Sequence, residues 1–118
     1  MVYSTLLAGA WYGMGVYVAA EAGTSASMYS GKGPEERFMY MCKALTGDFV
    51  KVDPVRPAAG KDPRTAKKMT LVTAPSKDPN NPSIKYDSVV DNDRNPKEFV
   101  LFTDSQVLPE YIITFTMQ

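Results

Sequence analysis

Hydrophobic positions in this chain fall into short runs separated by turn residues, not into long periodic stripes. Val16-Tyr17-Val18 is a β-branched and aromatic run with strand character. The segment before it, Ala-Gly-Ala-Trp-Tyr-Gly-Met-Gly at 8–15, reads as a loop or turn. Residues 21–30 predict a short helix, with Ala22, Ser25, Ala26 and Tyr29 at helical spacing, ended by Ser30-Gly31-Lys32-Gly33-Pro34. Phe38–Leu45 predicts a strand, although Phe38-Met39-Tyr40-Met41 has no clear period, and Thr46-Gly47-Asp48 turns or bulges it. Residues 53–83 hold Pro54, Pro57, Pro63, Pro75, Pro79 and Pro82 and predict an irregular stretch with neither helix nor central strand. Phe99-Val100-Leu101-Phe102 is apolar on both faces, as a central strand covered on each side would be. Tyr111, Ile113, Phe115 and Met117 alternate with Ile112, Thr114 and Thr116, a final strand with one more polar face and Pro109 at its start. Strands outnumber helices, and their close spacing favours antiparallel pairing.

Composition narrows the chemistry. The 118 residues suffice for one small domain. Lys+Arg and Asp+Glu both number 13, so the chain has no global positive field for nucleic acid. Cys42 is the only cysteine, which excludes an internal disulfide and a Cys-rich zinc site. Histidine is absent, which excludes Ser-His-Asp and Cys-His nucleophile systems and His-ligated metals within these residues. Charge is uneven: residues 51–70 are basic and 87–118 acidic, and the basic stretch reads as a solvated loop because no aromatics interleave it. Residues 1–20 carry no charged side chain and are long enough to cross a bilayer as a helix. They lack a basic n-region, although Val18-Ala19-Ala20 resembles a cleavage site. A buried strand preceded by a Gly-rich turn explains the same residues without a membrane.

Generic motifs fail. Gly13-Met14-Gly15 lacks the third glycine and the helix of a dinucleotide fingerprint. Asp87, Asp91 and Asp93 lack the glycine and terminal glutamate of an EF-hand loop, so a hydrogen-bonded turn is the reading there.

Five ordered blocks carry a more specific signal. Tyr12-Gly13-Met14-Gly15-Val16-Tyr17-Val18-Ala19 resembles the Tyr-Gly-Lys-Gly-Val-Tyr-Phe-Ala segment of the poly(ADP-ribose) polymerase family, and Ser25-Ala26…Tyr29-Ser30 follows at nearly the family spacing. Leu45-Thr46-Gly47-Asp48-Phe49 resembles that family's Leu-Thr-Gly-Asp-Tyr strand end, and Tyr86-Asp87-Ser88-Val89-Val90-Asp91 matches a further family segment. Glu98–Phe102 and Pro109–Phe115 look like its last two core strands. The resemblance implies an α+β fold on a split antiparallel sheet, with residues 1–118 as the C-terminal portion of a catalytic domain and a Pro/Lys-rich loop at about 51–83. It implies cleavage of the nicotinamide–ribose bond of NAD⁺ and transfer of ADP-ribose to a protein acceptor or to the protein itself, without metal. No nucleic-acid or membrane partner is implied, and NAD⁺ use with a single free cysteine points to nucleus or cytoplasm.

By the same resemblance, Glu98 would hydrogen-bond the nicotinamide ribose, stabilise positive charge developing on it and help activate the acceptor hydroxyl. Tyr17 matches the tyrosine of the family's His-Tyr-Glu set. Tyr29 would stack on the nicotinamide ring, with Ser25 four residues earlier on the same helix face bonding the carboxamide. Tyr12 and Gly15 would line the same cleft. Chain-building members carry a glutamate at the position of Glu98, whereas many mono-transferring relatives carry an apolar residue.

The departures are equally specific. The family's upstream His-Gly segment, whose His grips the adenosine ribose, has no counterpart here, so a fragment of a longer protein is expected, with a genuine short form as the alternative. Met14 replaces the family lysine and Val18 its phenylalanine, and residues 51–70 look longer than in close relatives. Three functions stay open: a transferase, an inactive NAD⁺ or ADP-ribose binding module, and an interaction module using the basic proline-rich stretch.

Overall fold

A computed structural model of the chain describes residues 1–4, 12–27, 36–54 and 71–116. The strands are β1 (Val2–Ser4), β2 (Val16–Ala19), β3 (Arg37–Ala44), β4 (Phe49–Lys51), β5 (Ser76–Asp78), β6 (Asn81–Lys85), β7 (Ser88–Val90), β8 (Glu98–Leu101) and β9 (Val107–Phe115). Helix α1 (Ala22–Ser27) follows β2, and a single 3₁₀ turn at Asp104–Gln106 precedes β9. Seven strands form one sheet in the order β4-β7-β8-β2-β1-β3-β9, while β5 and β6 form a separate hairpin. Every pairing in the large sheet is antiparallel except β4 with β7. β1 meets β2 at one registered pair, Tyr3↔Ala19, so the sheet divides there into a four-stranded and a three-stranded part. This is the α+β, split-sheet architecture the sequence implied.

The burial of β8 follows from its place between β7 and β2. Val100 and Leu101 point to opposite faces and both are buried. The register Val50↔Val89, Val89↔Val100 and Tyr17↔Val100 lines up one row of side chains across β4, β7, β8 and β2. Tyr12, Val52, Leu71 and Phe102 close over that row. On the opposite face Val18, Val90 and Leu101 are buried, and the Phe49 and Phe99 rings meet edge to face at 5.8 Å. Within the uncharged N-terminal stretch the described residues form β1 and β2, β2 follows a turn holding Gly13 and Gly15, and residues 5–11 lie outside the described residues; no helix among the described residues is long and apolar enough to cross a membrane.

Two of the sequence blocks are bound to each other. Gly47 turns the chain between β3 and β4 with φ +51°, and a Cβ there would run into the Asp87 carboxylate. The Asp48 N–H donates to Asp87 Oδ2 at 2.7 Å, and the Asp87 N–H donates to the Asp48 carbonyl at 2.8 Å. Ser88 Oγ donates to the Thr46 carbonyl at 2.8 Å. The Thr-Gly-Asp turn and the Tyr-Asp-Ser segment are thus one structural joint, which sets the parallel pairing of β4 on β7.

Two expectations need correction. The proline-rich stretch is not irregular throughout, since residues 76–85 form the β5–β6 hairpin. Its turn, Asp78-Pro79-Asn80-Asn81, is held by the Asn80 N–H donating to Asp78 Oδ1 at 2.9 Å. Because β6 is exposed at every position, it leaves no alternating pattern in the sequence. Pro109 does not start the last strand; β9 begins at Val107 and takes Pro109 in at a bulge opposite Met41 and Cys42. β9 lies at the edge of the sheet, where a missing N–H costs no ladder bond. Residues 55–70, which hold most of the basic stretch, lie outside the described residues.

Candidate functional site

Glu98 is the first residue of β8 and pairs with Ala19 of β2. Tyr17 pairs with Val100, two residues further along β8. Alternation puts Glu98, Val100 and Tyr17 on one face, with Glu98 and Tyr17 as diagonal neighbours about 7–8 Å apart at the backbone. Glu98 is half-buried, and burial, with the nearby Asp91 charge second, pushes its carboxyl above the usual carboxylate range. A glutamate shifted this way holds its proton more tightly than an exposed one.

Tyr17 is buried and its hydroxyl is occupied. It donates to the Gly13 carbonyl at 2.7 Å and accepts from the Tyr12 N–H at 3.0 Å. Burial pushes the phenol above its ordinary value, against the two backbone hydrogen bonds, and Glu98 adds to the rise. Tyr17 therefore folds the 12–13 loop back over its own strand and brings Tyr12 onto the row of Tyr17, Val89 and Val100. Gly13 keeps φ +148°, and a Cβ there would meet the Phe102 ring at 2.9 Å. Gly15 lies against β8, where a Cβ would stand 2.5 Å from the Leu101 carbonyl oxygen and 2.9 Å from Val100 Cγ1. The glycines of this loop have a packing reason, close approach of two backbones, beside any role at a ligand.

Helix α1 packs on β1 and β2, with Ser25 and Ala26 buried. It leaves β2 at Ala20, whose N–H donates to the Lys97 carbonyl at 2.9 Å, so the start of the helix is fixed to the start of β8. Ser25 thus sits on an element tied by one backbone bond to Lys97, the residue before Glu98. Tyr29, the expected stacking residue, lies outside the described residues.

The Asp-rich turn after β7 is hydrogen-bonded, as expected from its composition. Asp91 Oδ1 accepts from the Lys97 N–H at 3.0 Å and the Glu98 N–H at 3.1 Å. Asn92 Oδ1 accepts from the Arg94 and Asn95 N–H groups at 2.9 and 3.3 Å. The sequence marked Asp91 as a turn residue; that its target is the Glu98 amide was not visible in it. Among the described residues no group of three or more His, Cys, Asp or Glu is placed to hold a metal. A cleft of about 520 Å³ lies past the other end of β8, lined by Leu45, Lys85, Tyr86, Asp87, Phe102 and Gln106 among others and by neither Glu98 nor Tyr17.

Residues 3–117 match the family model described as "Poly(ADP-ribose) polymerase catalytic domain". The chain belongs to this family. It is similar to "Protein mono-ADP-ribosyltransferase PARP14" of Homo sapiens, 38% identical over 106 residues, which cover 88% of this chain and 5% of that protein. It is 31% identical over 110 residues to "Protein mono-ADP-ribosyltransferase PARP12" of Mus musculus, covering 93% of this chain and 13% of that protein. With "Protein mono-ADP-ribosyltransferase PARP10" of Mus musculus the identity is 33% over 108 residues, 90% of this chain and 10% of that protein. The chain thus spans a small part of each relative.

Proposed function

We propose that this chain is the C-terminal portion of an NAD⁺-dependent ADP-ribosyltransferase centre. The observation that carries the reading is the placement of a half-buried glutamate, Glu98, on the face of Tyr17 at the head of β8, in a chain of the poly(ADP-ribose) polymerase catalytic family. In the reaction the bond between the ribose C1′ and the nicotinamide nitrogen breaks, and nicotinamide leaves with the electron pair. The acceptor oxygen then bonds C1′ and gives up its proton. Glu98 faces the positive charge building on the ribose and orients the ribose hydroxyl and the acceptor. Tyr17 shapes the pocket wall through its ring and holds Tyr12 through its hydroxyl. Ser25 and Tyr29 take the carboxamide and the ring of nicotinamide, and Gly15 brings the turn close. The acceptor is a protein, or the protein itself, and the setting is nucleus or cytoplasm.

Incubation of the native protein carrying this chain with labelled NAD⁺ tests the reading. Nicotinamide release and label transfer that disappear in Glu98→Ala support it; unchanged transfer in that variant removes Glu98 from the chemistry. Gel mobility of the product separates single transfer from chains, which matters because the similar proteins are named mono-ADP-ribosyltransferases while Glu98 matches the chain-building pattern. A second reading is an inactive NAD⁺ or ADP-ribose binding module. NAD⁺ binding without nicotinamide release selects it.

A further inference from the structure

We propose that Asp91 is the positioning residue of Glu98, holding the backbone on which the glutamate stands and supplying the like charge beside it. The inference rests on the transferase reading and assigns a role to a residue that reading does not use. The β7–β8 register runs Val89↔Val100 and Val90↔Phe99, so Asp91 and Glu98 face each other at the next step. There the side chain of Asp91 takes over from the ladder. One oxygen, Oδ1, accepts from the N–H groups of both Lys97 and Glu98, at 3.0 and 3.1 Å. Bonds from amides to an ionised carboxylate are stronger than neutral ones. The other side of the same two residues is held by β2: Lys97 gives its carbonyl to the Ala20 N–H, and Glu98 pairs with Ala19. Glu98 is therefore fixed between two strands, and on the β7 side the only holding bonds among those described come from Asp91. The intervening turn is braced separately by Asn92, so loss of Asp91 frees the head of β8 before it unravels the turn.

The second part of the role is electrostatic. Among the described residues, the ionisable groups bearing on Glu98 are Asp91 from the turn and Tyr17 from β2. Asp91, second to burial, makes the Glu98 proton harder to remove. The two parts separate by substitution. Asp91→Asn keeps an oxygen acceptor and drops the charge. Asp91→Ala drops both.

The experiment combines residue-resolved hydrogen exchange with turnover, both on the native protein carrying this chain. In Asp91→Ala the exchange of the Lys97 and Glu98 amides rises about tenfold or more, while Val100 and Leu101 stay protected. The same variant loses about 10- to 100-fold in kcat for nicotinamide release with little change in the KM for NAD⁺, the size expected when a reacting group is misplaced by about 1 Å. Asp91→Asn restores most of the protection and most of the rate, and moves the acid limb of the kcat–pH profile to lower pH. Unchanged exchange in Asp91→Ala overturns the proposal. So does faster exchange with unchanged kcat in a protein where Glu98→Ala abolishes release, because the clamp would then be structural only. If Glu98→Ala itself leaves release intact, the transferase role of Glu98 fails and this inference fails with it, and that outcome is read from a different variant.

Discussion

Replacing Tyr17 by Phe removes one oxygen from a residue that is 5% exposed. The ring stays in its row with Val89 and Val100, so little apolar contact is lost. Two hydrogen bonds go with the oxygen: the one donated to the Gly13 carbonyl and the one accepted from the Tyr12 N–H. Gly13 is buried, so its carbonyl is left without that donor at a cost of about 1–3 kcal/mol; the half-buried Tyr12 N–H recovers water and costs about 0.5–1 kcal/mol. The sum is about 1.5–4 kcal/mol. For 118 residues the unfolding entropy is roughly 0.25 kcal/mol/K, so the thermal midpoint falls by about 6–16 °C. Urea denaturation followed by far-UV circular dichroism measures the free energy directly, with the slope unchanged because the exposed area is unchanged. A loss below about 0.5 kcal/mol would show that the hydroxyl does not hold the 12–13 loop. A coupled expectation concerns alkali. The folded phenol keeps its proton more tightly than the unfolded one, so this contribution to stability is full below about pH 10 and is lost as pH rises through the folded value. Tyr17→Phe removes that part of the alkaline decline.

Gly15→Ala places a Cβ against the Leu101 carbonyl and Val100, backbone and core that do not yield, and lowers stability by about 1–3 kcal/mol or more in the same urea experiment; a neutral result would mean β2 and β8 can part there. Gln106 Nε2 donates to the Leu45 carbonyl at 3.1 Å and the Asp87 carbonyl at 2.6 Å, so Gln106→Ala costs about 1–2 kcal/mol, and an unshifted urea midpoint would rule that out. Glu98 has a raised folded pKa, so its contribution to stability is full below the unfolded value and lost as pH climbs through the folded one. Glu98→Gln therefore raises the urea midpoint at pH 7 relative to wild type and leaves it close to wild type at pH 4; a lower midpoint at pH 7 contradicts the assigned shift.

The parts of the fold that the sequence disclosed are those buried on both faces or formed locally. β8 was visible through Phe99, Val100 and Leu101, three of its four residues, because a strand covered on both faces is apolar where it is covered. β2 and α1 were visible because a β-branched run and a helical spacing each need few residues to declare themselves. The β5–β6 hairpin was hidden for the opposite reason: its strands bury nothing, and its signal is a single turn, Asp78-Pro79-Asn80-Asn81, among prolines that also mark loops. Pro109 misled because the rule against proline in strands applies to residues with a partner on each side, and β9 has a partner on one side only. The parallel β4–β7 pair depends on contacts some 39 residues apart in sequence, between Asp48 and Asp87, which no local pattern reports.

The site divides along the same line. Glu98 and Tyr17 were named from a family resemblance, and the register of β2 on β8 puts them on one face of the sheet. What neither residue type nor spacing disclosed is that each is held by a backbone device. The Tyr17 hydroxyl is spent on the loop that carries Tyr12 and Gly13, and the Glu98 amide is spent on Asp91. The consequence is a division of labour that mutational data can resolve. If the phenol acts only through its loop bonds, Tyr17→Phe lowers stability and slows nicotinamide release together, and a second substitution that stabilises the loop restores both. If the hydroxyl also touches NAD⁺, restoring stability leaves the rate low. Glu98 is the converse case, since its ionised form costs stability at neutral pH: Glu98→Gln should give a protein that is more stable and less active. A gain in stability paired with a loss of rate would assign the Glu98 charge to the reaction, and a gain in stability with unchanged rate would not.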